Sequence, residues 1–81
     1  MMTHLFIVIT VQEGDFEHTH KILHTTNCIN LEFAVQWYCA HFWGFGERID
    51  NWWWWDYVHC GRVDNWKIVS DEDFEVLSKY L

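Results

Sequence analysis

The spacing of apolar residues divides the chain into four predicted strands and two predicted helices. Residues 4–11 are mostly β-branched or aromatic, and a tight turn at residues 13–14 separates them from a second run over residues 16–25. This pattern predicts a β-hairpin, with Val11 opposite Phe16. In that register one face of the hairpin carries the apolar side chains of Leu5, Ile7, Ile9, Val11, Phe16 and Ile22.

A helical period begins at Leu31. Apolar residues three and four positions apart form one continuous stripe, which consists of Leu31, Ala34, Val35, Tyr38, Cys39 and Phe42. Either Asn27 or Asn30 is the expected N-cap, and Gly44 is the expected C-terminal stop. Residues 44–51 are then predicted to form a loop.

A second hairpin is predicted after this loop. Residues 52–59 predict a third strand and residues 62–69 a fourth, with Cys60-Gly61 as the turn and Asp64-Asn65 as a competing turn. In the first of these registers one face carries Trp53, Trp55, Tyr57, Trp66 and Ile68. The other face carries Trp52, Trp54, Val58 and Lys67.

The last element is predicted to be a short helix. Ser70 is a suitable N-cap, and the acidic residues 71–73 suit the positive end of the helix dipole. The element order is therefore ββαββα, which predicts an α+β fold: a four-stranded, mostly antiparallel sheet with two helices packed on one face. Residues 1–81 are expected to form a single domain, because no Pro-, Ser- or Gly-rich linker divides them. The strand order is left open.

Charge narrows the classes of partner. Twelve acidic residues against five basic ones give a net charge of -7. Direct binding to nucleic acid or to an anionic membrane is therefore not expected, since both need a basic surface. The charge fits a basic protein partner, or simply high solubility. Three cysteines and no recognisable secretory leader predict reduced thiols and a cytoplasmic protein.

Histidines supply the sharpest chemical pattern. Alternation along the second predicted strand puts His18, His20 and His24 on one face, with neighbours roughly 6–7 Å apart. Two histidines at that spacing can share a Zn²⁺ ion, and Cys28 follows nearby in sequence. The alternative is that these imidazoles are half-buried at the sheet edge and hydrogen-bonded to backbone.

No enzyme class is supported by a motif. The neighbours Cys39 and His41, and likewise His59 and Cys60, invite a cysteine-nucleophile hypothesis, but no third group is placed to orient the base. The sequence has no P-loop, GxGxxG or GxSxG pattern. The acidic residues 71–73 are explained by helix capping. We therefore expect a protein without catalytic activity and without a cofactor.

The four consecutive tryptophans at 52–55 are the most unusual feature. In a strand they point alternately to opposite faces, so either Trp52 and Trp54 are exposed or the second face of the sheet is also covered. Phe33 and Trp37 raise the same question on the first helix, where they lie off the apolar stripe. Exposed apolar patches usually mark interfaces, and Trp is a typical interface anchor.

The predicted function is a small acidic protein–protein interaction module that binds a basic protein or a second copy of itself as a homodimer. Its expected binding residues are Trp52, Trp54, Trp37, Phe33 and Arg48. Composition resembles that of phage and mobile-element inhibitors of nucleic-acid-handling host proteins. Two alternatives are a small-molecule or nucleotide-binding module with an aromatic pocket, and a metal-binding protein that uses the three strand histidines.

Overall fold

The computed structural model describes residues 2–42, 47–50, 52–54 and 59–81. These residues form one antiparallel sheet with the strand order β2-β1-β5-β4-β3, and two helices. In chain order the elements are β1 (Thr3–Glu13), β2 (Phe16–Thr26), α1 (Leu31–Phe42), β3 (Glu47–Ile49), β4 (Trp52–Trp54), β5 (His59–Val69) and α2 (Asp71–Ser78). The α+β class is confirmed.

The predicted four strands and the ββαββα order are wrong, because the described residues contain five strands. The predicted loop at 44–51 includes β3, which pairs with β4 from Glu47 opposite Trp54 to Ile49 opposite Trp52. The predicted turn at Cys60-Gly61 lies inside β5 instead. Both of its residues pair with β1 there, so the backbone hydrogen bonds of a long central ladder override the turn tendency of one glycine. Residues 55–58 of the predicted third strand lie outside the described residues.

The first hairpin forms, but its predicted register is wrong by two residues. The turn residues are Gly14 and Asp15, and Glu13 pairs with Phe16, so Val11 lies opposite His18 rather than Phe16. Gly14 has a φ of 63°, a conformation that glycine adopts at little cost in a two-residue hairpin turn. A shift of two residues keeps every side chain on its predicted face.

The core lies between the β1 side of the sheet and α1. Alternate residues of β1 are buried on this face, and α1 covers them with part of its predicted stripe. The buried cluster consists of Leu5, Ile7, Ile9, Val11, Val35 and Cys39. Asn30 is the N-cap of α1, because its Oδ1 accepts a hydrogen bond from the Phe33 N–H at 3.0 Å.

The two helices lie on opposite faces of the sheet, which corrects the prediction that both pack on one face. His4 neighbours the buried Leu5 and points away from α1. Its ring stacks on Phe74 of α2 with centroids 4.1 Å apart, and its Nε2 is 2.8 Å from Asp71 Oδ1. The last residue of β5, Val69, pairs with His4, so α2 begins at this end of the sheet. It packs on the face to which the His4 side chain points. Ser70 caps α2, as predicted, by accepting a hydrogen bond from the Asp73 N–H at 3.1 Å.

Candidate protein-binding surface

The outward side of α1 exposes two large aromatic rings. Val35 and Cys39 are buried against the sheet, and residues two positions away along a helix lie on its opposite side. Phe33 is 60% exposed and Trp37, one turn later, is 49% exposed. We call this pair, Phe33 and Trp37, the aromatic ridge. The Trp37 ring also stacks on His41, with centroids 5.2 Å apart and the planes 3° from parallel.

An open groove runs along one side of the aromatic ridge, between α1 and the short strands. Its walls are formed by Phe33, Gln36, Trp37, Ala40, Arg48 and Trp53. The Arg48 guanidinium lies 5.6 Å from the centroid of the Trp53 ring, a cation–π contact. Trp53 Nε1 donates a hydrogen bond to Gln36 Oε1 at 3.4 Å. The groove therefore combines a mostly apolar wall with one cation held at its rim.

Three of the five predicted binding residues meet at this surface. Phe33, Trp37 and Arg48 line the groove, whereas Trp52 and Trp54 lie on the opposite face of the sheet. Sequence reasoning missed Trp53 as a groove residue. Alternation predicted that Trp53 and Trp52 point to opposite faces, but nothing in the pattern showed that Trp53 lines a groove together with Phe33 and Trp37.

Trp52 has contacts of its own on the opposite face. The Arg62 guanidinium lies 4.8 Å from the centroid of the Trp52 ring, and Arg62 Nε donates a hydrogen bond to Asp64 Oδ1 at 2.8 Å. Trp52 and Trp54 are both half-buried. Trp52 is thus engaged by side chains of its own sheet face, and the most exposed of the predicted aromatic residues are those of α1.

The three strand histidines do not form one site. His18 and His20 are exposed neighbours with ring centroids 6.5 Å apart. His24 is separated from them, because its ring packs on Tyr38 of α1 at a centroid distance of 4.3 Å. Partial burial there lowers the pKa of His24. Over the described ranges, no group of three or more His, Cys, Asp or Glu side chains is placed to hold a metal ion.

Two of the three cysteines, Cys39 and Cys60, lack the features of nucleophiles. Cys39 is buried in the core, and burial raises the pKa of its thiol to about 12. Cys60 is buried as well, and its burial also raises the pKa of its thiol. Its Sγ donates a hydrogen bond to Gln12 Oε1 at 3.6 Å. A thiol that stays protonated at neutral pH is a poor nucleophile.

Comparisons with models of known protein families, with curated proteins and with solved structures gave no match to this chain. In the part of the chain that the structure describes, neither helix has the length and apolar character needed to cross a lipid bilayer.

Proposed function

We propose that this protein is a non-enzymatic interaction module that binds a protein partner through the aromatic ridge and its groove. The observation that carries the proposal is the exposure of Phe33 and Trp37 side by side on the outer surface of α1. Large aromatic side chains on the surface of a helix are typical of the residues that contribute most of the binding energy in protein interfaces.

The groove adds specificity to this surface. Trp53 supplies a flat apolar wall, against which an apolar side chain of the partner would pack. Arg48 supplies a cation beside it, which would bind a neighbouring carboxylate or carbonyl group of the partner. The protein as a whole is strongly negative, with a net charge of -7. That field accelerates encounter with a partner of positive net charge, while the aromatic ridge slows dissociation.

A basic partner is therefore the class that we propose. The narrower hypothesis, an inhibitor of a nucleic-acid-handling host protein such as phages and mobile elements encode, rests on composition alone and stays a prediction. The raised pKa values of Cys39 and Cys60 support a protein without covalent catalysis. We further propose a cytoplasmic location, which the three free thiols at Cys28, Cys39 and Cys60 support.

The alternative function is small-molecule binding in the same groove. Trp53 and Trp37 provide ring faces on which a planar ligand could stack, and Arg48 suits an anionic group on it. Titration with nucleotides, followed by tryptophan fluorescence, separates the two functions. Saturable quenching that Arg48→Ala abolishes would favour the ligand-binding alternative.

The test of the proposed function is affinity capture with the wild-type protein and with Phe33→Ala/Trp37→Ala, followed by binding measurements on the purified candidate partner. Replacing an aromatic anchor of about 2 kcal/mol weakens Kd roughly 30-fold. We expect at least that loss for the double variant, with an unchanged circular dichroism spectrum because both rings are exposed.

Two control variants locate the interface. Tyr80→Ala removes another exposed ring, at the C-terminal end of the chain, and should leave Kd unchanged. Trp54→Ala probes the opposite face of the sheet. A partner that binds the Phe33→Ala/Trp37→Ala protein as tightly as the wild type but loses affinity for Trp54→Ala would refute the aromatic ridge as the binding surface.

A further inference from the structure

We propose that a second copy of this chain pairs with the outer edge of β2 and that the two strands together bind one Zn²⁺ ion through His18 and His20 of both copies. This site is independent of the aromatic ridge. Each chain supplies half of the ligands, so the complete site forms only between two copies.

The outer edge of β2 has the geometry of a strand that can add another strand. β2 is the first strand of the sheet, and it pairs only with β1 among the described strands. Glu13 and Phe16 flank a two-residue turn and are therefore a hydrogen-bonded pair. Hydrogen-bonded and non-hydrogen-bonded pairs alternate along an antiparallel ladder, so every second residue of β2 after Phe16 is hydrogen-bonded to β1. Glu17, Thr19 and Lys21 thus direct their backbone N–H and C=O groups away from β1.

The part of this edge that is open to a partner is its first half. Residues 16–21 are all exposed, whereas residues 22–26 are half-buried beside the helices. An edge of this kind is a ready template for another strand unless the protein protects it. Pairing between copies is thus restricted to the exposed half.

Charge selects the register of that pairing. In an antiparallel arrangement with Thr19 at the two-fold axis, Glu17 of each copy lies opposite Lys21 of the other copy. This arrangement forms about six backbone hydrogen bonds, all from the exposed residues Glu17, Thr19 and Lys21. Centring the pairing on Lys21 instead would oppose two ammonium groups directly, which is destabilising.

The same register brings four imidazoles together. His18 lies directly opposite His20 of the second copy, as a pair without backbone hydrogen bonds, in which side chains are closest. Opposed Cβ atoms in such pairs are about 4.5–5.5 Å apart. Within one chain the two rings have centroids 6.5 Å apart and no described hydrogen-bond or ion-pair partner. Their nitrogens therefore remain available as ligands.

The chemistry of this cluster suits zinc. Neutral imidazole nitrogens bind Zn²⁺ at about 2.0–2.1 Å in a tetrahedral arrangement. His18 and His20 are exposed, so rotation of their side chains can direct the Nε2 atoms toward a common ion. The cation also offsets the repulsion between two chains of net charge -7. Metal binding and strand pairing therefore stabilise each other.

Sedimentation velocity with and without Zn²⁺ tests the proposal. With EDTA we expect a species of 10.0 kDa, and with half an equivalent of Zn²⁺ per chain we expect the mass to double. Calorimetry should give one ion per two chains. His18→Gln/His20→Gln should abolish the doubling, and His24→Gln should retain it because that ring packs on Tyr38 instead.

A charge exchange tests the register. Lys21→Glu opposes two carboxylates and should prevent the doubling, whereas Glu17→Lys combined with Lys21→Glu restores opposite charges and should rescue it. Doubling that persists in His18→Gln/His20→Gln, one ion bound per monomer, or a dimer that ignores both zinc and the charge exchange would overturn the proposal. The Phe33→Ala/Trp37→Ala protein should dimerise normally, which separates this result from that of the proposed function.

Discussion

The buried hydroxyl of Thr10 donates a hydrogen bond to the carboxylate of Asp64. Asp64 is the residue that the β1–β5 ladder skips, since Val8 pairs with Asn65 and Ile9 already pairs with Val63. This skip is a β-bulge, and the bulge aims the Asp64 side chain across the sheet. Thr10 is only 3% exposed, so its hydroxyl depends on that acceptor.

We expect Asp64→Ala to lower the free energy of unfolding by about 1–3 kcal/mol, because it leaves a buried hydroxyl without an acceptor. In a Thr10→Val background, which removes the hydroxyl at nearly constant shape, the same change should cost clearly less. Urea denaturation of the four proteins measures this coupling. Strictly additive effects would show that the two side chains do not depend on each other.

The N-cap of α2 gives a second stability prediction. Ser70 Oγ accepts a hydrogen bond from the Asp73 N–H, and no residue of α2 is buried, so the helix has little packing to replace a lost cap. Ser70→Ala should cost about 1 kcal/mol. We expect the loss to appear as faster amide exchange within α2.

Ser78→Ala is the matched control for this change. The Ser78 hydroxyl donates to the Glu75 carbonyl in the last turn of the same helix, where the backbone N–H groups of Lys79 and Tyr80 also donate to carbonyls of the helix. It should leave exchange at the start of α2 unchanged. Equal acceleration by both substitutions would contradict a specific role of the cap.

Features of the fold that depend on residues close together in the chain, such as helix caps and the buried face of a strand, were predicted from the sequence. Asn30, one of the two predicted N-caps, caps α1, and Ser70 caps α2 as predicted. The alternation in β1 correctly predicted its buried face, because a strand has only two faces and one of them is apolar throughout. These features depend on residues close together in the chain.

Features that depend on distant residues were not predictable. Gly61 looked like a turn residue, yet it pairs with Val11 because β1 offers a full ladder to β5. The position of α2 depends on His4, which contacts Asp71 from the other end of the chain. In the candidate site, the meeting of Arg48 with Trp53 required β3, a three-residue strand too short to show a hydrophobic period.

Thiol reactivity should differ among the three cysteines. Cys39 and Cys60 are buried with raised pKa values, whereas Cys28 is half-buried in the segment before α1. At about pH 8 the native protein should react with Ellman's reagent at one thiol quickly and at the other two only after unfolding. Cys28→Ser should remove the fast phase. A fast phase that remains in Cys28→Ser would mean that a core thiol is accessible.

Acid sensitivity should arise in part from His24. Partial burial against Tyr38 lowers the pKa of this imidazole, so the folded state binds its proton less readily than the unfolded chain does. The stability that His24 contributes is therefore fully present above the ordinary histidine pKa of about 6.5. It is lost as the pH falls from there through the lowered pKa of the folded state.

His24→Phe keeps a ring on Tyr38 but removes the titration. The unfolding free energies of wild type and variant, measured by urea denaturation, should run parallel above about pH 7 and diverge below about pH 6.5, with the wild type falling more steeply. The remaining histidines are common to both proteins and cancel in the difference. Curves that stay parallel down to pH values of about 5 would show that His24 titrates alike in both states, and that its contact with Tyr38 does not hold it neutral.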